Sequence, residues 1–262
     1  MKHLHIVLIL GSLLAATQAG AQERVRVATE GAYPPFNFVD ASGKPGGFDV
    51  DLTEAICAAA KFQCSIVAQE FKGIIPGLLA ERYDLIVAGM NMTPARAEQV
   101  LFSKKYAQVP QRFAMSDSLA NEVEAAPGEG MDKLKAGLKG KTIGLVSASA
   151  ADTFVREKFG NIVTYRAYQK TADSVQDLAA GRVDAVADGA VALSETFLSK
   201  PAGKGFRLGG PPMQLGNGIG AAARKSDTAL IEKVNAALDK LREDGTYQKI
   251  AAKYFDFDVY GQ

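Results

Sequence analysis

The amino-acid sequence predicts an α/β protein built as two lobes, and three observations predict it. A run of strand, helix, strand, helix and strand occupies residues 25–88, the alternation of a parallel sheet with helical connections. The same order begins again at residue 142 and ends at residue 188. The chain has 262 residues, 47% hydrophobic and 23% charged, enough for two units of about 100 residues each. That composition excludes a disordered, collagen-like or coiled-coil chain.

The first segment to account for is the N-terminus. Lys2, His3 and His5 make a short cationic start, and residues 6–16 are apolar except for Gly11 and Ser12. A run of that length is too short to span a bilayer, which takes roughly 20 apolar residues. Ala19-Gly20-Ala21 then offers a small-residue cleavage pattern before Gln22, so residues 1–21 are predicted to be a secretory signal peptide. Later stretches are not apolar for long enough to span. The two histidines both fall within the predicted signal, and the chain has no tryptophan. A mature protein without histidine is barred from most histidine-based triads, general bases and metal sites, so no metal and no cofactor is expected. A formal net charge of +1 gives no electrostatic case for nucleic acid.

Residues 25–29 alternate as a strand, and residues 30–47 read as a turn-rich loop carrying Pro34, Pro35 and Pro45. Over 48–60 the apolar residues Phe48, Leu52, Ala55, Ile56 and Ala59 recur at helical spacing. A strand over 65–68, a helix over 74–80 and a buried strand over 83–88 complete the first run. Cys57 and Cys64 are the only cysteines, and an even count in an exported chain argues for a disulfide. Two buried free thiols or a redox pair are the other readings. Residues 115–140 dilute the apolar positions with Ser, Glu, Gly and Pro. The second run follows as strand 142–146, helix 150–159, strand 162–165, helix 171–180 and strand 185–188. Beyond Pro211-Pro212, a strand over 218–223 precedes two amphipathic helices, 228–242 and 246–254, parted by Gly245.

Small ligands bind at the carboxyl ends of strands in such folds, between lobes. Glu30 ends the first strand, Tyr33 follows in the same loop, Phe71 precedes the helix at 74, and Arg96 lies in a helix opened by Thr93-Pro94. Brought together, Arg96 and its helix N-terminus would hold a carboxylate, each charge-assisted bond contributing about 1.5 to 3 kcal/mol. Tyr33 and Phe71 would sandwich the rest of the ligand, and Glu30 would accept from a cation. Taken singly, each residue has a plainer use as a solvated charge, a packing ring or a turn. The sequence carries no G-x-G-x-x-G after a strand, no phosphate-binding loop and no G-x-S-x-G elbow.

Several stretches carry a resemblance to a known family. They are Ala28-Thr29-Glu30-Gly31-Ala32-Tyr33-Pro34-Pro35-Phe36, Gly47-Phe48-Asp49-Val50-Asp51-Leu52, Tyr83-Asp84-Leu85-Ile86, Met92-Thr93-Pro94-Ala95-Arg96 and Ala179-Ala180-Gly181-Arg182-Val183-Asp184-Ala185. A last one runs from Asp244-Gly245-Thr246-Tyr247 to Lys253-Tyr254-Phe255-Asp256-Phe257-Asp258-Val259-Tyr260-Gly261. From about residue 25 to its end, the chain resembles the periplasmic solute-binding proteins of polar amino-acid ABC importers, the group of the lysine/arginine/ornithine-, histidine- and opine-binding proteins. Cys57 and Cys64 stand at the spacing of that family's disulfide.

The resemblance implies a type II periplasmic binding protein fold, two α/β lobes joined by two crossing hinge strands near residues 106–109 and 210–212. Lobe 1 would be discontinuous, 22–107 and 212–262, with lobe 2 at 108–211. It implies a non-enzymatic, monomeric receptor in the periplasm that closes on a cationic amino acid such as arginine, ornithine, lysine or histidine and delivers it to a membrane permease. Arg96 matches the arginine that grips the α-carboxylate, Tyr33 and Phe71 the flanking aromatic pair, and Glu30 the acidic reader of a cationic side chain. Ala88, Gly89 and Asn91 stand where basic-amino-acid binders place serines, and the Gly-Ser-Thr turn of the second lobe reads Ala148-Ser149-Ala150. The aspartate that meets a free α-ammonium falls on Gly189, with Asp188 one position early. These departures imply an alternative ligand, an opine or other N-substituted amino acid. A more remote alternative is an enzyme of the cyclohexadienyl dehydratase kind on the same fold, with Glu30 as its acid or base.

Overall fold

The computed structural model describes residues 22–124 and 130–261. The expected signal peptide at 1–21 lies outside the described residues. The chain forms β1 (Arg24–Thr29), β2 (Ala32–Tyr33), β3 (Asn37–Val39), β4 (Pro45–Gly46), α1 (Phe48–Ala60), β5 (Gln63–Ala68), α2 (Ile74–Leu79), β6 (Leu85–Ile86), α3 (Pro94–Ala97) and β7 (Leu101–Ala107). It continues with β8 (Gln111–Ser116), α4 (Asp117–Glu122), α5 (Gly130–Leu138), β9 (Thr142–Val146), α6 (Ala150–Phe159), β10 (Thr164–Tyr168), α7 (Thr171–Ala179), β11 (Ala185–Gly189) and α8 (Ala190–Leu193). The last elements are β12 (Phe206–Met213), β13 (Ile219–Ala223), α9 (Thr228–Glu243) and α10 (Thr246–Ala251).

Two sheets of five strands organise two lobes, in the orders β5-β1-β6-β13-β7 and β10-β9-β11-β8-β12. In each, three strands are parallel, as the strand-helix alternation predicts, because the connections between them run through helices. The other two strands of each sheet join it through antiparallel pairs, with β13 and β8 running against the rest, which the strand-helix alternation did not predict. Those strands belong to the segments that pass from one sheet to the other. The chain leaves the first sheet after Ala107 and enters the second at Gln111; it returns between Met213 and Ile219. The return passage therefore lies past the expected 210–212, because Gly210, Pro211 and Pro212 sit inside β12. Proline is tolerated there because β12 is an edge strand whose register breaks between Gly209 and Met213.

Other differences have equally local causes. The loop at 30–47 holds a small antiparallel sheet, β2-β3-β4, whose strands of two or three residues are too short to show a period. Residues 115–140 are not merely connective: α4 and α5 bury Leu119, Ala120, Leu134 and Leu138 in the second core. The strand at 83–88 is regular only over Leu85–Ile86, although Asp84 and Val87 still donate to β1.

The first core joins both ends of the chain. Phe48 of α1 lies 5.1 Å from Phe255 and 5.9 Å from Tyr247, ring centre to ring centre, so the C-terminal helices complete the lobe that the N-terminus begins. Cys57 and Cys64 form the disulfide, tying the last turn of α1 to β5.

Candidate functional site

The carboxyl ends of β1, β6, β9 and β11 face a small cavity of about 30 Å³ between the two sheets. Glu30, Tyr33, Phe71, Ala88, Gly89, Asn91, Ser149 and Asp188 line it, so eight of the residues singled out in the sequence share one space. Ala150, of the Ala148-Ser149-Ala150 turn, lines it as well, as do Gln111, Val146 and Thr171, which were missed. Gln111 opens β8, a strand the sequence pattern concealed. Thr171 was within reach of the reading, since it is the first residue of a helix that follows a strand.

Arg96 stands elsewhere. It lines a neighbouring cavity of about 680 Å³ that shares Phe71 and Ala150 with the smaller one. Thr93 caps α3, and Pro94 takes the first helical position, which fixes Arg96 two residues on. The Arg96 side chain is not a solvated helix charge, since the residue is 8% exposed. Its guanidinium donates to the carbonyl oxygens of Asn91 and Ala148, each at 2.9 Å, and lies 5.2 Å from the Phe71 ring centre. Burial pulls it down to about 10.

The small cavity is acidic. Asp188 accepts from the Thr171 hydroxyl at 2.6 Å, from the Gly189 amide at 2.8 Å and from the Tyr33 hydroxyl. Burial still raises it above the ordinary carboxylate range. Glu30 is pushed up to about 8, first by burial, then by the charges of Asp188 and Asp49, with Lys170 opposing. A raised carboxyl in a closed space is one that a cation would ionise.

Two glycines make the space possible. Gly89 has φ of +57°, and a Cβ there would press on the Tyr33 ring at 3.0 Å. A Cβ on Gly189 would stand 2.1 Å from the Tyr33 hydroxyl, so Tyr33 fills the place an aspartate at 189 would need. Ser149 caps α6 by accepting from the Asp152 amide at 3.0 Å, which holds its hydroxyl oxygen at the helix start and leaves its O–H to donate. Among the described residues no cluster of His, Cys, Asp and Glu could hold a metal ion, and no helix is long and apolar enough to cross a membrane.

Three comparisons bear on this geometry. The sequence model of a family described as bacterial extracellular solute-binding proteins, family 3, matches residues 25–257. The chain is 39% identical over 258 residues to the L-arginine-binding protein of Pseudomonas aeruginosa, covering 95% of each chain. It is 37% identical over 264 residues to the lysine/arginine/ornithine-binding periplasmic protein of Escherichia coli, covering 98% of each. Among solved structures, an ancestral arginine-binding protein bound to arginine superposes with a TM-score of 0.78 at 32% identity, covering 89% of this chain and 99% of that one.

Proposed function

The chain belongs to the bacterial extracellular solute-binding proteins, family 3, and from that premise we propose that it is the periplasmic receptor of an amino-acid ABC importer. It takes a cationic amino acid (arginine, ornithine, lysine or histidine) between its lobes and hands it to the membrane permease. The observation that carries this reading is the division of charge at the cleft, with Glu30 and Asp188 on one small cavity and Arg96 at its border. An α-amino acid with a cationic side chain has the matching distribution, two cations and one carboxylate.

Arg96 takes the α-carboxylate, giving up its bond to Ala148 or widening it. Glu30 meets the side-chain cation and Asp188 the α-ammonium, Tyr33 and Phe71 flank the aliphatic stem, and Ala88, Gly89, Asn91 and Ser149 shape the walls. A buried ammonium without a partner would cost several kcal/mol, so Asp188 must serve in place of residue 189. Binding proceeds without turnover. The division into two lobes is part of the proposal, with lobe 1 at 22–107 and 214–262 and lobe 2 at 108–213, the second boundary moved from the expected 212 because β12 runs to Met213, as are export by the N-terminal signal and action as a monomer. Hinge closure is the way such lobes enclose a ligand.

A second reading has its own observation. The cavity of about 680 Å³ beside Arg96 is far larger than one carboxylate fills, and it would accept a substituent on the α-nitrogen, as in an opine. Calorimetric titration of protein refolded free of carried-over ligand decides between them, using arginine, ornithine, lysine, histidine, octopine and nopaline. Tight binding of a basic amino acid supports the first reading; binding of an opine alone replaces it with the second. Conversion of prephenate or arogenate by the purified protein would overturn both.

A further inference from the structure

Asp49 lies behind the cavity wall, fully buried at the first turn of α1, where the helix N-terminus favours negative charge. Its two carboxylate oxygens hold different donors. One accepts from the Asn37 side-chain amide at 2.7 Å, the other from the Tyr106 hydroxyl at 2.8 Å. Each donor in turn accepts from a backbone amide at the ligand cavity. The Asn37 carbonyl oxygen receives Gly31 N–H at 2.7 Å, directly after Glu30. The Tyr106 hydroxyl receives Gly89 N–H at 3.1 Å, and that amide also reaches Asp49. Two relays from two parts of the cavity wall thus end on one side chain.

We propose that Asp49 is a positioning residue for ligand recognition: through Asn37 and Tyr106 it sets the Glu30-Gly31 corner and the Gly89 turn in one register, without touching ligand. A carboxylate suits this place best. Both converging groups are donors, and aspartate offers an acceptor on each oxygen, whereas asparagine would turn an NH2 against one of them. Glu30 reads the cationic end of the ligand in the reading above, on which this inference rests for its second readout. A loose corner would let the carboxylate swing, so discrimination between a cation and its neutral isostere should suffer before affinity in general.

The test uses Asn37→Ala, Asp49→Asn and, as a control, Thr53→Val. Thr53 is buried on the same helix and donates to the Asp49 carbonyl oxygen at 2.6 Å, outside both relays. Amide hydrogen exchange followed by NMR on ligand-free protein reports Gly31 and Gly89 directly. Asn37→Ala should speed exchange at Gly31 about tenfold and spare Gly89. Asp49→Asn should speed both, and Thr53→Val neither, although all three lower the thermal midpoint. In titrations, the preference for arginine over citrulline should fall about fivefold or more in the first two variants and hold in the third. Unchanged amides in Asp49→Asn, or equal effects in Thr53→Val, would overturn the proposal. Failure of the unaltered protein to bind arginine would overturn the ligand reading instead, while the exchange pattern still decides the role of Asp49.

Discussion

Arg96 and Ala148 join the two lobes directly: the guanidinium of one donates to the carbonyl oxygen of the other at 2.9 Å across the cleft. The residue proposed to hold a ligand carboxylate therefore also ties one lobe to the other. Ala148 is prepared for it, with φ of +63° and its amide held by Asp152 at 3.1 Å.

Arg96→Ala is expected to weaken binding of arginine by at least about 2 kcal/mol, some thirtyfold, because the ligand carboxylate would be enclosed without a partner. Calorimetric titration measures it. An unchanged affinity would remove the anchor of the proposed function.

Glu30→Gln is expected to cost cationic ligands far more than neutral ones, so arginine should lose much more than citrulline. Charge reading also has a pH signature. Burial and its acidic neighbours push Glu30 up to about 8, so binding a cation below that pH must expel its proton. Affinity for arginine should rise up to about tenfold per pH unit toward pH 8 and then level off. Titrations in buffers of different ionisation enthalpy count the released proton, and its persistence in Glu30→Gln would assign it elsewhere.

The ligand-free protein should grow less stable as pH rises from about 5 to 8. Asp49, Glu30 and Asp188 are all raised on folding, Asp49 to about 7 and Glu30 to about 8. A carboxyl raised on folding contributes stability that is present at low pH and lost as pH climbs through its folded value. Arginine, by pairing with Glu30 and Asp188, should flatten the decline. A thermal midpoint that rises over this range without ligand would contradict the burial of these groups.

Asp84 acts in the opposite window. It accepts from Arg26 through the side chain and the backbone and from Arg224 at 3.1 Å, which holds it down at about 2. Its contribution is present above the ordinary carboxylate value and lost as pH falls toward 2. Asp84→Asn should cost about 1 to 2 kcal/mol near neutrality, with solvent screening allowed for, and almost nothing near pH 2. Denaturant titrations at the two pH values test this.

Removing the Cys57–Cys64 bridge by paired serine substitutions should lower stability by about 2 to 3 kcal/mol, the chain-entropy value for so short a loop. Chemical unfolding compares the two forms. Arginine binding should survive, since neither cysteine lines the cleft cavities.

Much of the fold was legible because long periodic segments declare themselves. The helix at 48–60 and the strand at 142–146 coincide with α1 and β9. The crossing segments were hidden for physical reasons: β7 reads Leu-Phe-Ser-Lys-Lys-Tyr-Ala, with two lysines in mid-strand, and β12 carries two prolines tolerated only at an edge. Site residues at strand ends were recoverable from chemistry and position together. Gln111 was not, because its strand was not, and the roles of Asn37 and Asp49 depend on partners far apart in sequence. Asp188 illustrates the limit in the other direction. The sequence could place it one position early but could not show that Thr171 and Tyr33 hold it against the cavity.

The position of β13 has a consequence for biosynthesis. It is formed by residues 219–223, yet it sits between β6 and β7 and, among the described residues, is the only link between them in the first sheet. The second sheet draws all its strands from one uninterrupted stretch, β8 to β12, and can assemble as soon as that stretch is available. The first sheet stays split, with β7 unattached, until residue 223 has been made, and its helical cover waits for α9 and α10. The half that is synthesised first is thus finished last. A nascent chain cannot complete its N-terminal half before nearly all of it has left the ribosome.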